Sequence, residues 1–519
     1  MNRGTLLTEL HNQSDKEWDL IVIGGGATGS GIALDATSRG YKTLLLEQSD
    51  FSKGTSSRST KLVHGGVRYL AQGDLLLVIE ALHERGLMLK NASHLTSNQE
   101  FVIPIYTWWD GVLYTVGLKF YDILAGRLSM GKSYFIDRKK TMNRLPLLKS
   151  DGLKGGVIYH DGQFDDARMT IALVKACIDR GGVALNYFKV TGLLKNNTGR
   201  INGVIAKDLM SGEEMNLNAR LVINATGVFA DDIIRMDNPD SKPYIRPSQG
   251  VHIVLDKTFL GSNSAIMIPK TDDGRVLFAI PWYDKVVVGT TDTPLDSINL
   301  EPVALESEIN FILQTAQKYL IRPPKREDIL CIFAGLRPLA ANPDKPMATK
   351  EISRRHKIIL PPSQLLTITG GKWTTYRLMA EETINKAIRA GILDKRKCVT
   401  SGLKLSACEP VFPSNRLHIY GDQSAEIEQI ISNKPELGLQ MDIQLPYTRA
   451  EIIWICRYEM PLTIEDVLAR RTRALFLNVR ASSRIAPEVA KIMAEELNLG
   501  EQWQREQVEE YNKTVINYI

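Results

Sequence analysis

Two histidines and three cations in this chain of 519 residues sit beside glycine or proline, where backbone can close on a ligand. His64 precedes Gly65-Gly66, and His252 lies two residues past Gly250. Imidazole titrates near neutral pH, so both are candidates for the base in a catalytic proton transfer. Arg68 follows Gly65-Gly66, Arg337 stands between Gly335 and Pro338, and Lys372 follows Gly370-Gly371. A dianion leaving water needs more than one cation, and a guanidinium grips two oxygens at once. The three together, with Tyr69 beside Arg68, suit an anionic substrate. Any one of these arginines alone is better explained by pairing with a nearby carboxylate, and either histidine alone by a structural role.

The element that must position such chemistry is readable near the N-terminus. Leu20–Ile23 is a short apolar run that fits a buried parallel strand. It enters Gly24-Gly25-Gly26-Ala27-Thr28-Gly29, a G-x-G-x-x-G turn into a helix expected over about Ala27 to Arg39. Gly24 permits the turn, Gly26 lets a pyrophosphate approach the backbone, and Gly29 lets helix and strand pack closely. Gly31, Ala33 and Ala36 are small enough to face the sheet, Arg39 suits the helix C-terminal dipole, and Gly40 stops the helix. A second strand, Thr43–Leu46, delivers Glu47, an acid placed to accept from ribose hydroxyls. Strand, glycines, helix, strand and acid in that order indicate dinucleotide binding. In the polar loop that follows, Thr55, Ser56, Ser59 and Lys61 could bond phosphate and ribose oxygens.

Further along, helices are expected over Asp74–Lys90, Asp166–Arg180 and Ser307–Lys318, and strands over Val183–Val190 and Arg200–Leu209. Phe101–Gly126 is apolar and aromatic but broken by Asp110, Lys119 and Asp122; it reads as an interfacial amphipathic segment, a core helix or a lid. Arg220–Asn224 runs into Ala225-Thr226-Gly227, the expected return of the chain to the nucleotide sheet. From Gly250 to Asp292 the period becomes that of an antiparallel meander, turning at Thr271-Asp-Asp-Gly274. Leu365–Ile368 then enters Thr369-Gly370-Gly371-Lys372 and a helix to about Arg389, whose exposed N–H groups favour an anion or carbonyl. Ser401–Pro413 reads as a linker. The helical remainder includes a capped start at Thr463-Ile-Glu-Asp466, with Arg470, Arg471 and Arg473 suited to a helix C-terminus.

Net charge is +5 and the pI about 8.7, a basic excess suited to anionic substrates or anionic lipid and too weak to imply nucleic acid. The five cysteines are scattered without C-x-x-C, which argues for a reducing compartment and against a disulfide framework or zinc site; no metal is expected. The polar N-terminus carries no secretory signal, and no uninterrupted apolar run reaches the ~18 residues of a membrane span.

The segments IVIGGGATGSGIALDA, GTSSRSTKLVHGGVRYL, LVINATG, FAIPW with VVVGTTD, AGLRPL, TGGKWTTYR and TIEDVLARRTRALFL cover about residues 19 to 480. Together they resemble the aerobic FAD-dependent glycerol-3-phosphate dehydrogenases and the related α-glycerophosphate oxidases. The resemblance implies an α/β fold with an FAD-binding Rossmann-like domain of the D-amino-acid-oxidase type, an antiparallel substrate sheet and a helical C-terminal domain. The implied division is a discontinuous FAD-dependent region over 19–400, its substrate sheet mainly 245–335, and a helical domain over 401–519. The implied cofactor site comprises Gly24, Gly26, Ala27, Thr28, Gly29, Glu47, Thr55, Ser56, Ser59, Lys61, Leu62, His64, Val190, Thr226, Gly227, Gly370 and Gly371. Arg68, Tyr69, His252, Arg337 and Lys372 would meet substrate, with His252, Arg337 and His64 catalytic. The implied reaction is oxidation of sn-glycerol 3-phosphate to dihydroxyacetone phosphate, with quinone as acceptor, at the cytoplasmic face of a membrane. The implied partners are thus substrate, quinone and the membrane surface, with a homodimer as the assembly and no nucleic acid. Use of O2 as acceptor, or the chemistry of an amine or amino-acid oxidase of the same superfamily, are the alternatives. One departure stands out, and one absence favours the dehydrogenase over the oxidase. After Pro346 the text is Met347-Ala-Thr-Lys350-Glu-Ile-Ser-Arg354-Arg355, where the dehydrogenases place a phosphate-binding arginine, and no oxidase-type insertion is evident.

Overall fold

The nucleotide motif builds one edge-to-edge sheet of six strands. Their order is Lys357–Ile359, Leu365–Thr369, Val222–Asn224, Leu20–Ile23, Thr43–Leu46 and Val183–Leu185, all parallel except the first. The computed structural model describes residues 1–13, 16–71, 73–271, 274–341, 355–406 and 416–519, without the side chains of Arg68 and Ala71. The central strands are buried along their whole length, as parallel strands covered on both faces must be. The helix Ala27–Ser38 packs on this sheet, but a Cβ on Gly31 would lie 2.8 Å from the Tyr376 ring. That glycine therefore admits the helix Tyr376–Arg389 rather than the sheet, and Arg39 pairs with Asp35 at 2.7 Å instead of capping in solvent.

The stretch read as one strand over Val183–Val190 divides in two. Val183–Leu185 joins the parallel sheet, and Phe188–Lys195 begins a three-stranded antiparallel sheet with Ile201–Asp208 and Glu214–Asn218. Tyr187 turns the chain between them at φ 53°, its hydroxyl held by Asp466 at 2.7 Å.

The meander lies in a larger sheet that recruits strands from well before residue 245. Its order is Thr293–Pro294, Ile245–Asp256, Lys285–Gly289, Leu277–Trp282, Ala265–Ile268, Thr96–Ile105, Gly155–Phe164 and Leu62–Val63. Cys331–Ala340 pairs with Ile245–Asp256, setting Arg337 opposite Ser248 and Phe333 opposite His252. Residues 272 and 273, inside the expected turn, lie outside the described residues, as do 407–413 of the expected linker, Cys408 among them.

The segment Phe101–Gly126 is two elements. It ends the strand Thr96–Ile105, and Thr107 then caps the helix Trp108–Ala125 by accepting from the Asp110 amide. Leu118, Tyr121 and Ala125 face inward, while Trp109, Ile123 and Leu113 stand 84%, 72% and 66% exposed. The neighbouring helix Leu75–Asn91, capped by Asp74, exposes Leu75, Leu76 and Ile79 beside it. No helix among the described residues is long and apolar enough to cross a membrane.

The C-terminal arginines do not serve a helix dipole. Asp466 accepts from the Leu462 and Thr463 amides, the expected cap, but Asp466–Arg471 is a π-helical turn. Arg470 and Arg471 are buried against Asp50, just past the second strand of the nucleotide sheet. Arg473 donates to the Ser57 carbonyl at 2.8 Å and pairs with Asp166 at 3.2 Å. These pairs bind the C-terminal helices to the nucleotide region, and removing one partner would leave a buried charge unpaired.

Candidate functional site

At the carboxyl ends of the parallel strands lies a cavity of about 530 Å³, lined by Gly24, Gly26, Ala27, Thr28, Glu47, Thr55, Ser56, Val190, Thr226, Gly227, Gly370 and Gly371. This is where an open α/β sheet binds its ligand. Gly24 adopts φ 106°, and a Cβ there would sit 2.7 Å from the Ala225 carbonyl oxygen. Gly29 does not line the cavity; a Cβ on it would stand 1.8 Å from the Gly24 carbonyl oxygen, so it is needed for helix–strand packing. The Ala27 amide donates to Ser56 Oγ at 2.9 Å. Glu47 accepts from the Gly25 and Ser49 amides at 2.7 and 2.9 Å, which aims its carboxylate across the turn. Burial raises the Glu47 pKa above the ordinary carboxylate value, against the opposing pull of both amides. The glycine floor, the acid at its rim and the volume of the cavity fit a dinucleotide.

A second cavity of about 350 Å³ meets the first at Thr55, Pro338, Gly370, Gly371, Lys372 and Trp373. Ser59, Leu62, His64, Tyr69, His252, Arg337 and Lys372 line it, so tertiary structure gathers these residues from four separate segments. Gly370 and Gly371 both adopt positive φ, at 77° and 82°, and the chain passes through a short 3-10 turn before the helix Tyr376–Arg389. Lys372 Nζ lies 3.8 Å from the centre of the Tyr69 ring. Arg68 is on the helix Val67–Ala71, with its side chain outside the described residues, and the cations at 350 and 354 fall there too.

The Arg337 guanidinium is held by protein on both terminal nitrogens. Nη1 donates to the Gln249 carbonyl and Asp292 at 3.1 and 3.2 Å, and Nη2 to Thr290 Oγ1 and the Thr291 carbonyl at 3.1 and 2.9 Å. It thus presents a fixed charge, with Asp292 as counter-ion, at the cavity wall.

His252 is buried, its ring stacked on Phe333 at 4.8 Å with Nε2 3.0 Å from Thr60 Oγ1, while Nδ1 has no hydrogen-bond partner. Burial, then the charges of Lys61 and Arg337, hold its pKa well below the ordinary imidazole value. The ring is therefore neutral at working pH. His64 is likewise pushed down to about 3, by burial and by Lys372 and Arg85.

Lys61 departs from expectation. Its ammonium lines neither cavity, because it bonds Asp166 at 2.6 Å and the Ser57 carbonyl at 2.7 Å within the interior. Burial lowers its pKa to about 7, against the pull of Asp166. Its role is to stiffen the loop that presents Ser59 and Thr60. Thr60, Tyr159, Asp161, Thr290 and Arg275 also line the second cavity and were absent from the sequence-based set. Tyr159 and Asp161 share one face of a strand with His160 between them, a pattern that signals a strand and nothing of its neighbours.

Residues 19–377 match the family described as FAD dependent oxidoreductase, and residues 367–507 match the C-terminal domain of alpha-glycerophosphate oxidase. The chain is 40% identical to the mitochondrial glycerol-3-phosphate dehydrogenase of Homo sapiens, over 96% of this chain and 73% of that protein. Identity to the Schizosaccharomyces pombe enzyme of the same name is 38%, over 95% and 86%. Among solved structures, glycerol-3-phosphate dehydrogenase from Bacillus halodurans, complexed with FAD, superposes with a TM-score of 0.80 at 30% identity, covering 99% of this chain and 97% of that one. The glycine cradle, the second cavity joined to it and these matches lead to one conclusion: the chain belongs to the FAD-dependent oxidoreductases, within the glycerol-3-phosphate dehydrogenase family.

Proposed function

We propose that this protein oxidises sn-glycerol 3-phosphate to dihydroxyacetone phosphate and passes the electrons to a quinone. The observation that carries this reading is the junction of the two cavities at Gly370–Trp373, which sets a cation-lined pocket against the inner end of the cofactor cradle. When bound, FAD supplies the hydride acceptor. Gly24, Gly26, Ala27, Ser56 and Glu47 hold its adenosine and pyrophosphate in this reading, and Thr226, Gly227 and Gly370–Gly371 border the remainder. Arg337, Lys372 and Arg68 receive the phosphate, and Tyr69 packs beneath the Lys372 ammonium. His252 takes the C2 hydroxyl proton; Thr60 fixes its ring, and burial keeps it neutral. His64 lines the same cavity as the other base candidate.

In this reading the protein works as a peripheral enzyme on the inner, cytoplasmic face of a membrane. The apolar outer face of Trp108–Ala125, with Leu75, Leu76 and Ile79, supports it, and Lys119, Arg127 and Lys132 are exposed around that face. Such a helix inserts its apolar side at the headgroup boundary while nearby cations attract anionic lipid. The division into an FAD-dependent region over 19–400 and a helical domain from 401 is part of the same proposal.

The test is anaerobic mixing of the FAD-loaded protein with glycerol 3-phosphate while flavin absorbance is followed. Bleaching by glycerol 3-phosphate and not by amino acids is expected; a flavin that stays oxidised would reject the reading. Reoxidation by quinone much faster than by O2 would assign the acceptor.

A further inference from the structure

The His64-Gly65-Gly66 loop forms one wall of the second cavity, yet Gly65 itself faces away from it. Its amide donates to the hydroxyl of Tyr121 at 2.7 Å. A Cβ on Gly65 would come within 2.7 Å of both that hydroxyl and the Leu82 side chain, so the loop is pressed directly onto these residues. Tyr121 is 1% exposed, on the inward face of the helix Trp108–Ala125. Its hydroxyl has one proton, which it directs to Asp161 at 2.9 and 3.1 Å, leaving an oxygen lone pair to accept from Gly65. Asp161 is fixed in turn by Arg85 Nη1 at 2.6 Å, and Arg85 also donates to the His160 carbonyl at 3.3 Å. Two helices and a strand thus converge on one backbone amide.

We propose that Tyr121 is a positioning residue for the substrate pocket, acting through its hydrogen bond with the Gly65 amide, with Asp161 and Arg85 setting the direction of its hydroxyl. His64 and Gly66 flank that amide directly, and Tyr69 follows on the next turn. The ring of Tyr69, on which Lys372 rests, packs against the same cluster of Val78, Leu82 and Tyr121. A loop with two adjacent glycines has little stiffness of its own, so external partners select its conformation: Thr374 Oγ1 accepts from the His64 amide at 3.2 Å, and the buried Tyr121 hydroxyl from the Gly65 amide. Tyr121 touches neither cavity and leaves the reacting atoms alone. Its consequence for catalysis rests on the reading of the second cavity as the glycerol 3-phosphate site.

The test is the Tyr121→Phe variant of the FAD-loaded protein, which keeps the ring and deletes the acceptor. Hydrogen exchange at Gly65 should accelerate while peptides from Leu75–Asn91 and Trp108–Ala125 exchange as before. KM for glycerol 3-phosphate should rise roughly tenfold with kcat within about twofold, the scale of one buried donor left unsatisfied. Leu82→Val, which trims packing and keeps the bond, should leave KM unchanged. Unchanged exchange at Gly65, faster exchange without a KM change, or an equal KM rise in Leu82→Val would each overturn the proposal. If Tyr121→Phe does not fold, the unmodified protein decides: an unprotected Gly65 amide is incompatible with the bond. The exchange result stands whether or not glycerol 3-phosphate is the substrate, so failure of the wider reading is distinguishable from failure of this one.

Discussion

The nucleotide cradle and the substrate pocket meet at Gly370–Trp373, but they are made of different materials. The cradle is mostly backbone: glycines without room for a Cβ, an amide on Ser56, and an acid steered by two amides. Its main wall comes from residues 23–56, close in sequence. The pocket is mostly side chains, brought from the loops around residues 60 and 370, from strands near 160 and 280, and from the strand pair holding His252 and Arg337. Its polar groups are also tied to protein partners, Arg337 to Asp292 and His252 to Thr60. A backbone site therefore tolerates change at many side chains and none at a few glycines, whereas a side-chain site depends on its supports.

The sharpest break should come in the cradle. Gly29→Val puts carbon where the Gly24 carbonyl oxygen already stands, so the strand–helix turn cannot close. We expect protein without flavin, read as the ratio of visible to protein absorbance, and full occupancy would overturn the assignment. Gly26→Val should have the same sign more mildly, since its nearest obstruction is the movable Ser56 hydroxyl at 2.8 Å.

In the pocket, truncation of Arg337 to alanine should weaken substrate binding by ~2–5 kcal/mol, the scale of buried charge-pair truncations, with flavin content normal. Glycerol, lacking phosphate, should be affected far less. Equal proportional losses for glycerol and glycerol 3-phosphate would mean that Arg337 only anchors Asp292. Asp292→Asn separates these roles further, because it removes the counter-ion while the Gln249, Thr290 and Thr291 oxygens still hold the guanidinium.

A smaller effect is expected outside both sites. Replacing Trp109, Leu113 and Ile123 together with aspartate should abolish flotation with anionic vesicles at low salt and leave flavin reduction by substrate intact. Vesicle binding at the unmodified level would reject this face as the lipid contact.

The smallest effect concerns pH. The folded-state pKa of His64, about 3, is below its ordinary 6.5, so the folded chain binds fewer protons than the unfolded chain between those values. Its contribution is complete above pH 6.5 and is lost as pH falls toward 3. His64→Gln should therefore flatten the decline of Tm between pH 6.5 and 5, measured on the holoprotein. An unchanged slope would show that the imidazole is not kept neutral by its surroundings.

What the sequence determined by itself was whatever depends on neighbours along the chain. The order of strand, glycines, helix, strand and Glu47 is local geometry, and the structure reproduces it from Leu20 to Glu47. The change to an antiparallel period after Gly250 was equally visible, because alternation is a property of one strand at a time. Tertiary structure decided what such patterns leave open. Lys61 lies in a polar, hydroxyl-rich loop and reads as a phosphate ligand, but Asp166 from a helix over a hundred residues away claims its ammonium. Arg470 and Arg471 read as dipole partners at a helix end, but Asp50 draws them inside. Val183–Val190 has the composition of one strand and is bent into two at Tyr187, where a distant aspartate holds the side chain. A charge or hydroxyl bonds whichever complementary group the fold brings within about 3 Å; that choice is made across the sheets and helices, where spacing along the chain carries no information.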